Sequence, residues 1–334
     1  MNITFDGTLG ALLIGMNIST IFYGITCVQI FLYATCPRTS KDGWFLKTLV
    51  SVLLALDTVH QVTIFIGMYR FLVTDYLNPL QLIKDASTGP ASLSFHTGLV
   101  CSDVLILLVQ LYYTWRLWVF SISVSDGVRW LLTTSTLIFA LISFATAMVI
   151  VVETGDPHSN FSSPLGNSGT AWKVCLPMGI ACDAIITFGM LLNLHQSRSK
   201  IQSTNDGMNF LMMSIFNTGL LTIIVSIATL ICFYALPSSN LAYGALGLIA
   251  PRCYLNSFLA TLNSREYLRE KMAVPINISF GGANWSSHTT GSVSPSRLES
   301  GLETGNEASM VPKVTSPVKV FFTSEKTVNR AESA

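Results

Sequence analysis

The side chains able to do chemistry stand inside long apolar runs. Asp57, His60 and Gln61 share one run, Asp103 and Gln110 a second, Asp183 a third, and Arg252 with Asn256 the last. Ionisable groups at membrane depth are expensive, usually face the interior of a bundle, and mark functional candidates whose partners have to be named. Asp57 and His60 are three residues apart and so lie on one helix face. At about 1.5 Å of rise per residue, His60, Asp103, Asp183 and Arg252 all fall roughly ten to twelve residues from one end of their runs, near a common midplane. A lone arginine there would be costly. Arg252 is therefore expected to pair with Asp103 or Asp183, with Asp57, His60 and Asn256 in the same polar layer. Three uses of such a layer stand side by side: an interhelical network that fixes packing, a pocket for a ligand or ion, and a catalytic site.

Catalysis finds little support. The five histidines, 60, 96, 158, 195 and 288, are dispersed, and no HExxH pair, GxSxG elbow or phosphate-binding loop occurs. No metal or cofactor is expected. The seven cysteines fall mostly in apolar runs without CxxC spacing and read as small buried residues. A retinal Schiff base needs a lysine in the last helix, where this chain has Arg252. Thr114-Trp115-Arg116 and Asn256-Ser257-Phe258 replace the acidic-Arg-aromatic and NPxxY signatures of rhodopsin-like receptors. Gln110, Tyr113 and Arg116 form a stripe that reads as an arginine snorkelling to headgroups. Asn217-Thr-Gly219 and Tyr254-x-Asn-Ser257 read as helix-packing residues.

The elements that hold these groups follow from composition. Half the residues are hydrophobic and 11% charged, against roughly a quarter charged in a soluble domain. Of 19 basic and 18 acidic residues, 15 follow Leu262, so the first 262 are the apolar part. The net charge of +1 gives no field that would select nucleic acid. A hydrocarbon core of about 30 Å needs about 20 apolar residues per helix. Seven runs meet that length: 9–33, 48–72, 93–118, 130–152, 172–194, 210–236 and 241–262. The expected fold is all-α, a polytopic seven-transmembrane-helix bundle with a disordered C-terminal tail. The seventh run is the weakest, with Gly244, Gly247, Pro251 and Arg252, and six helices plus a half-buried segment is the alternative. Residues 1–8 lack a basic region, so the first helix is expected to serve as its own insertion signal.

Basic flanks set the orientation. Arg38, Lys41, Lys47, Arg116, Arg129, Arg198, Lys200, Arg265, Arg269 and Lys271 border one side, and Arg70, Lys84 and Lys173 the other. This places the N-terminus, 1–8, outside or in a lumen and the tail, 263–334, in the cytosol, in the plasma membrane or an endomembrane. The sequons at Asn2 and Asn160 then fall on the outer side, where glycosylation is possible. Trp44, Trp118, Trp130 and Trp172 lie near helix ends as an interfacial belt. From Val274 the chain turns to Ser, Thr, Gly, Asn and Pro, too polar to offset its ordering entropy. It includes Ser294-Pro and Ser316-Pro as candidate phosphorylation sites and an apolar patch at 318–323.

Taken in order, several short strings resemble a family of uncharacterised seven-helix membrane proteins expanded in mushroom-forming basidiomycete fungi, with a C-terminal domain of unknown function. They are Gly10, Tyr23-Gly24, Gln29, Tyr33, Lys47, Asp57 with His60, Leu108-Val-Gln-Leu-Tyr-Tyr113 with Arg116, Asp183-Ala-Ile-Ile-Thr187, Thr218-Gly219, Tyr254-x-Asn256-Ser257, and Leu262-Asn263-x-Arg265. The similarity covers roughly residues 5 to 270. It implies a membrane location and seven helices, with a lysine near the Arg252 position in many relatives, and it supplies no activity. The leading expectation is a non-enzymatic receptor-like or sensory protein of the lipid bilayer, with an unknown ligand and effector. A small transporter or channel using the Asp/Arg/His layer is the second expectation, favoured by a broken seventh helix. A structural membrane protein is the third. A membrane-embedded hydrolase would need His60 within reach of two carboxylates.

Overall fold

The computed structural model describes residues 7–36, 39, 42–76, 78, 80–81, 84–85, 89–121, 125–155, 167–196, 202–237 and 240–272, and for 120, 155, 167–169, 194–196, 202–218 and 265–272 only the course of the backbone. These residues fall within one compact unit, 1–277. Asn2, Asn160, Ser294, Ser316, the 318–323 patch and the tail from 273 lie outside them.

Among the described residues the chain is all-helical, without strands. Seven long helices appear in order: α1 (Leu9–Thr35), α2 (Trp44–Tyr69), α3 (Pro90–Phe120), α4 (Asp126–Gly155), α5 (Asn167–Gln196), α6 (Gln202–Ala235) and α7 (Ala242–Met272). Each contains one of the expected apolar runs almost whole. α7 continues to Met272, past the Leu262 boundary where the tail was expected to begin. Among the described residues five stretches are long and apolar enough to cross a membrane: Leu9–Thr35, Trp44–Thr74, Pro90–Val119, Asp126–Thr154 and Thr170–Asn193. They mark the chain as a multi-pass membrane protein.

Burial shows which solvent the surface suits. α1 turns Ile14, Ile21, Ile25 and Val28 outward, positions recurring along one face, and buries Gly15, Ser19, Thr26 and Tyr33. That is inside out for water and right for hydrocarbon. Between helices, small residues set the approach. A Cβ on Gly15 would meet the Ala245 backbone of α7 at 2.7–2.8 Å, and one on Gly219 of α6 would strike the Thr187 side chain of α5.

The helices close a ring. α1 lies against α7, α7 against α6, then α5, α4, α3 and α2 follow, with α2 touching α1 more lightly. α3 is the hub, contacting α5 and α7 as well as its ring neighbours α2 and α4. Leu53, Leu105, Val109, Leu255, Phe258 and Leu259 form the main core between α2, α3 and α7, with Tyr33 of α1 at its edge. Leu117, Ala140, Cys182, Ile186 and Met190 form a second between α3, α4 and α5. Pro90 opens α3 at a position where its missing N–H is no loss. Pro177 and Pro251 lie inside α5 and α7, which stay continuous, as buried membrane helices allow. α2 ends in a π-helical turn, Arg70–Thr74, from which Arg70 reaches the buried Asp85 at 3.6 Å. The α3–α4 corner is held by Arg129, 3.7 Å over the Trp118 ring and bonded to its carbonyl at 3.2 Å, while Trp130 packs edge-on against Trp118.

Candidate functional site

The residues expected to form one layer separate into three groups, because height and azimuth are different coordinates. Along a helix each residue turns about 100°, so Arg252 and Tyr254, two apart, point to opposite sides of α7, while Asn256 returns to the side of Arg252.

On the α1–α2 side, the fully buried Arg252 pairs with the fully buried Asp57. The pairing with Asp103 or Asp183 does not occur. A guanidinium offers five donors, and this one uses them across two helices. Nε donates to Ser19 Oγ at 3.2 Å, Nη1 to the Asp57 carbonyl at 3.2 Å, and Nη2 to Gln61 Oε1 at 2.8 Å. Gln61 in turn donates to Thr20 at 2.8 Å, and the Tyr23 ring lies 5.2 Å from the guanidinium carbon. His60 is buried one turn from Asp57, and its Nδ1 has no hydrogen-bond partner. Asn256 belongs to the α1–α7 seam. It donates to the Phe22 carbonyl at 3.1 Å and accepts from Thr26 at 3.3 Å, and Asn263 repeats the motif on the Gln29 carbonyl at 3.0 Å.

Asp183 is the centre of the second group. Gln110 of α3 donates to its Oδ1 at 3.3 Å, and the Tyr254 hydroxyl of α7 donates to its Oδ2. Thr222 of α6 lies beside it but donates to the Gly219 carbonyl at 2.9 Å. One carboxylate thus joins three helices, α3, α5 and α7.

Asp103 stands apart from both. It lines a cavity of about 130 Å³ between α3, α4, α5, α6 and α7. Seven residues further along α3, almost back on the same face, Gln110 closes that cavity together with Tyr254. Beyond these two side chains lies a smaller space of about 30 Å³, lined by Asp183, Tyr113, Thr222 and Ser257 and also by Gln110 and Tyr254, with room for one or two waters. Gln110 and Tyr254 are therefore a septum, held by Asp183, between a larger cavity and a smaller one.

Sequence reasoning found the charged members and missed how the neutral ones act. Gln110 was part of a stripe and Tyr254 a packing residue, yet both carry the septum. Trp172, expected in an interfacial belt, lines the larger cavity and packs on Tyr243 at 5.6 Å and Phe233 at 6.1 Å. Arg116, expected to snorkel outward, is buried at 5% exposure. The outward face of α3 at that level is taken by Trp115 and Val119, both exposed, and Arg116 lies on the inward side. Gly219 does act in packing, as its spacing suggested, and it lines the smaller space.

Residues 179–267 match the model of a family of unknown function (DUF6534). That segment contains the end of α5, all of α6 and most of α7, with Asp183, Arg252, Tyr254 and Asn256. No match is found among curated proteins or among solved structures.

Proposed function

We propose that the chain is a receptor-like protein with seven membrane crossings, its N-terminus outside or lumenal, that binds a small ligand in the larger cavity and relays occupancy through the septum. The observation that carries this reading is that Gln110 and Tyr254 both line that cavity and both bond Asp183 beyond it. A ligand against the septum shifts groups from three helices at once, which is how a small displacement becomes a change at the far end of a packed bundle. The 10-to-3 bias of basic flanks puts that far end in the cytosol.

The transport reading drew on a broken seventh helix, and α7 is continuous through Pro251. Gln110 and Tyr254 also stand between the two cavities. Reconstituted chain should therefore carry no proton, sodium or potassium flux above empty liposomes. A panel of benzene-sized amines, acids and alcohols serves as probes for the sensing reading. Any member that binds should alter hydrogen exchange at the ends of α3 and α7 beyond the septum. Flux that Asp183→Asn abolishes, or binding without that exchange response, overturns the reading.

A further inference from the structure

The chemistry of the larger cavity narrows its ligand. Most polar side chains on its wall are already engaged. Ser102 donates to the Leu99 carbonyl at 2.7 Å, Ser143 to the Cys175 carbonyl at 3.3 Å, Thr229 to the Val225 carbonyl at 2.8 Å, and Gln110 and Tyr254 to Asp183. Asp103 is the exception. It is the one charged residue on the wall, and among the described residues it has no hydrogen-bond or ionic partner. Arg252, the cation once expected to reach it, is committed to Asp57 on the other side of α7.

A half-buried carboxylate that faces a largely apolar cavity with no protein partner is a site for a cation. A calcium-like site takes about six to eight oxygen ligands, usually with several carboxylates among them, and Asp103 is the one carboxylate on this wall. The remaining wall is largely apolar, with Ile106, Leu107, Phe144 and Leu176. Trp172 adds an aromatic face, which attracts an ammonium. Gly247 also lines the cavity, and its carbonyl lacks its usual helical donor because residue 251 is proline. In size, about 130 Å³ is slightly below an engineered cavity of roughly 150 Å³ that takes benzene.

We propose that the larger cavity binds a small organic monocation, a protonated amine with an apolar body of about benzene size, its ammonium on Asp103 and its body against the α3–α5 wall. This rests on the reading of that cavity as the ligand site and names its ligand class.

The test uses the full chain in lipid nanodiscs, with empty nanodiscs as the partition control. Benzylamine is titrated against benzyl alcohol and benzoate, with binding read by calorimetry and by intrinsic tryptophan fluorescence, the Trp172 share taken as the difference from Trp172→Phe. Benzylamine should bind at least about tenfold more tightly than the other two, and Asp103→Asn should weaken benzylamine by about tenfold or more while leaving benzyl alcohol unchanged. Ala147→Leu, which fills the cavity without touching the carboxylate, should weaken every probe. An unliganded melting temperature like wild type shows that each variant is folded. Equal binding of the alcohol, indifference to Asp103→Asn, no binding by any probe, or displacement of benzylamine by sodium chloride beyond what choline chloride causes each overturns the proposal. The two readings fail separately. Acid or alcohol binding with an exchange response at the far helix ends leaves the receptor reading standing and removes the amine. Selective amine binding without that response does the reverse.

Discussion

Arg252 and Asp57 bury two charges completely, and the consequence is asymmetric. Removing one partner leaves the other charge uncompensated, at a cost of about 3–5 kcal/mol, whereas replacing both with apolar groups of similar size is often neutral. Arg252→Ala should therefore lower the unfolding free energy by about that amount, and Asp57→Leu/Arg252→Met should recover most of it, measured by denaturation in detergent micelles. Arg252→Lys should fall between, since an ammonium keeps the charge but cannot span Ser19, Gln61 and Asp57 together. Tyr254→Phe is the corresponding test of the septum. It deletes one hydrogen bond to a charged group, worth about 1.5–3 kcal/mol, and should loosen α7 against α5 while leaving the Arg252 group intact. At this scale the sequence was half legible. Apolar context singled out Asp57, His60, Asp103, Asp183 and Arg252, and run position is the ground for expecting His60, Asp103, Asp183 and Arg252 at one height. Partner choice depends on the direction of each side chain about its helix and on which helix lies there, and neither is written in one-dimensional spacing. Arg252 accordingly went to the wrong carboxylate.

Elements pack here by closeness more than by hydrophobicity. Lipid tails are as apolar as the interior, so helix association relies on shape and interhelical hydrogen bonds. The α1–α7 seam shows both, with Gly15 against Ala245 and the Ser19, Thr26, Asn256 and Asn263 contacts along its length. Gly15→Val should cost about 1–3 kcal/mol of overpacking, and Ala245→Gly should recover part of it, because one of the clashing atoms is the Ala245 Cβ. The seam was largely hidden in the sequence, where Ser, Thr and Gly in a helix carry no sign of their facing partner. A second element-scale prediction concerns the turn after α2. Burial, together with the hydrogen bond and charge of the neighbouring Asp85, pushes the Asp75 carboxyl above the usual aspartate range against the pull of Arg70. The native state thus holds its proton more tightly than the unfolded chain. Its stabilising contribution is complete at acid pH, below the ordinary aspartate value, and declines as pH rises through the raised one. Asp75→Asn should flatten that decline, giving a melting temperature higher than wild type at neutral pH and similar at about pH 4.

For the whole molecule, the helix runs and the all-α class were legible because a run of about 20 apolar residues has one physical meaning. The ring order was not, since seven antiparallel neighbours can be arranged in many ways and only contacts decide among them. That order has a thermodynamic consequence. The two largest cores and the bonded groups around Arg252 and Asp183 are built from residues 9–263. A chain ending at Asn277 keeps all of those residues and should melt within about 2 °C of the full chain, the shift expected when a change leaves such contacts in place. Ending it at Leu255 should abolish folding, because it removes Phe258, Leu259 and Leu262 from the main core and Asn263 from the α1–α7 seam. Size-exclusion profiles and thermal melts of the two truncations in one detergent separate these outcomes. A large loss of stability on removing residues 278–334 would mean that the tail docks on the bundle, and relay from the septum to the cytosol would then have to include it.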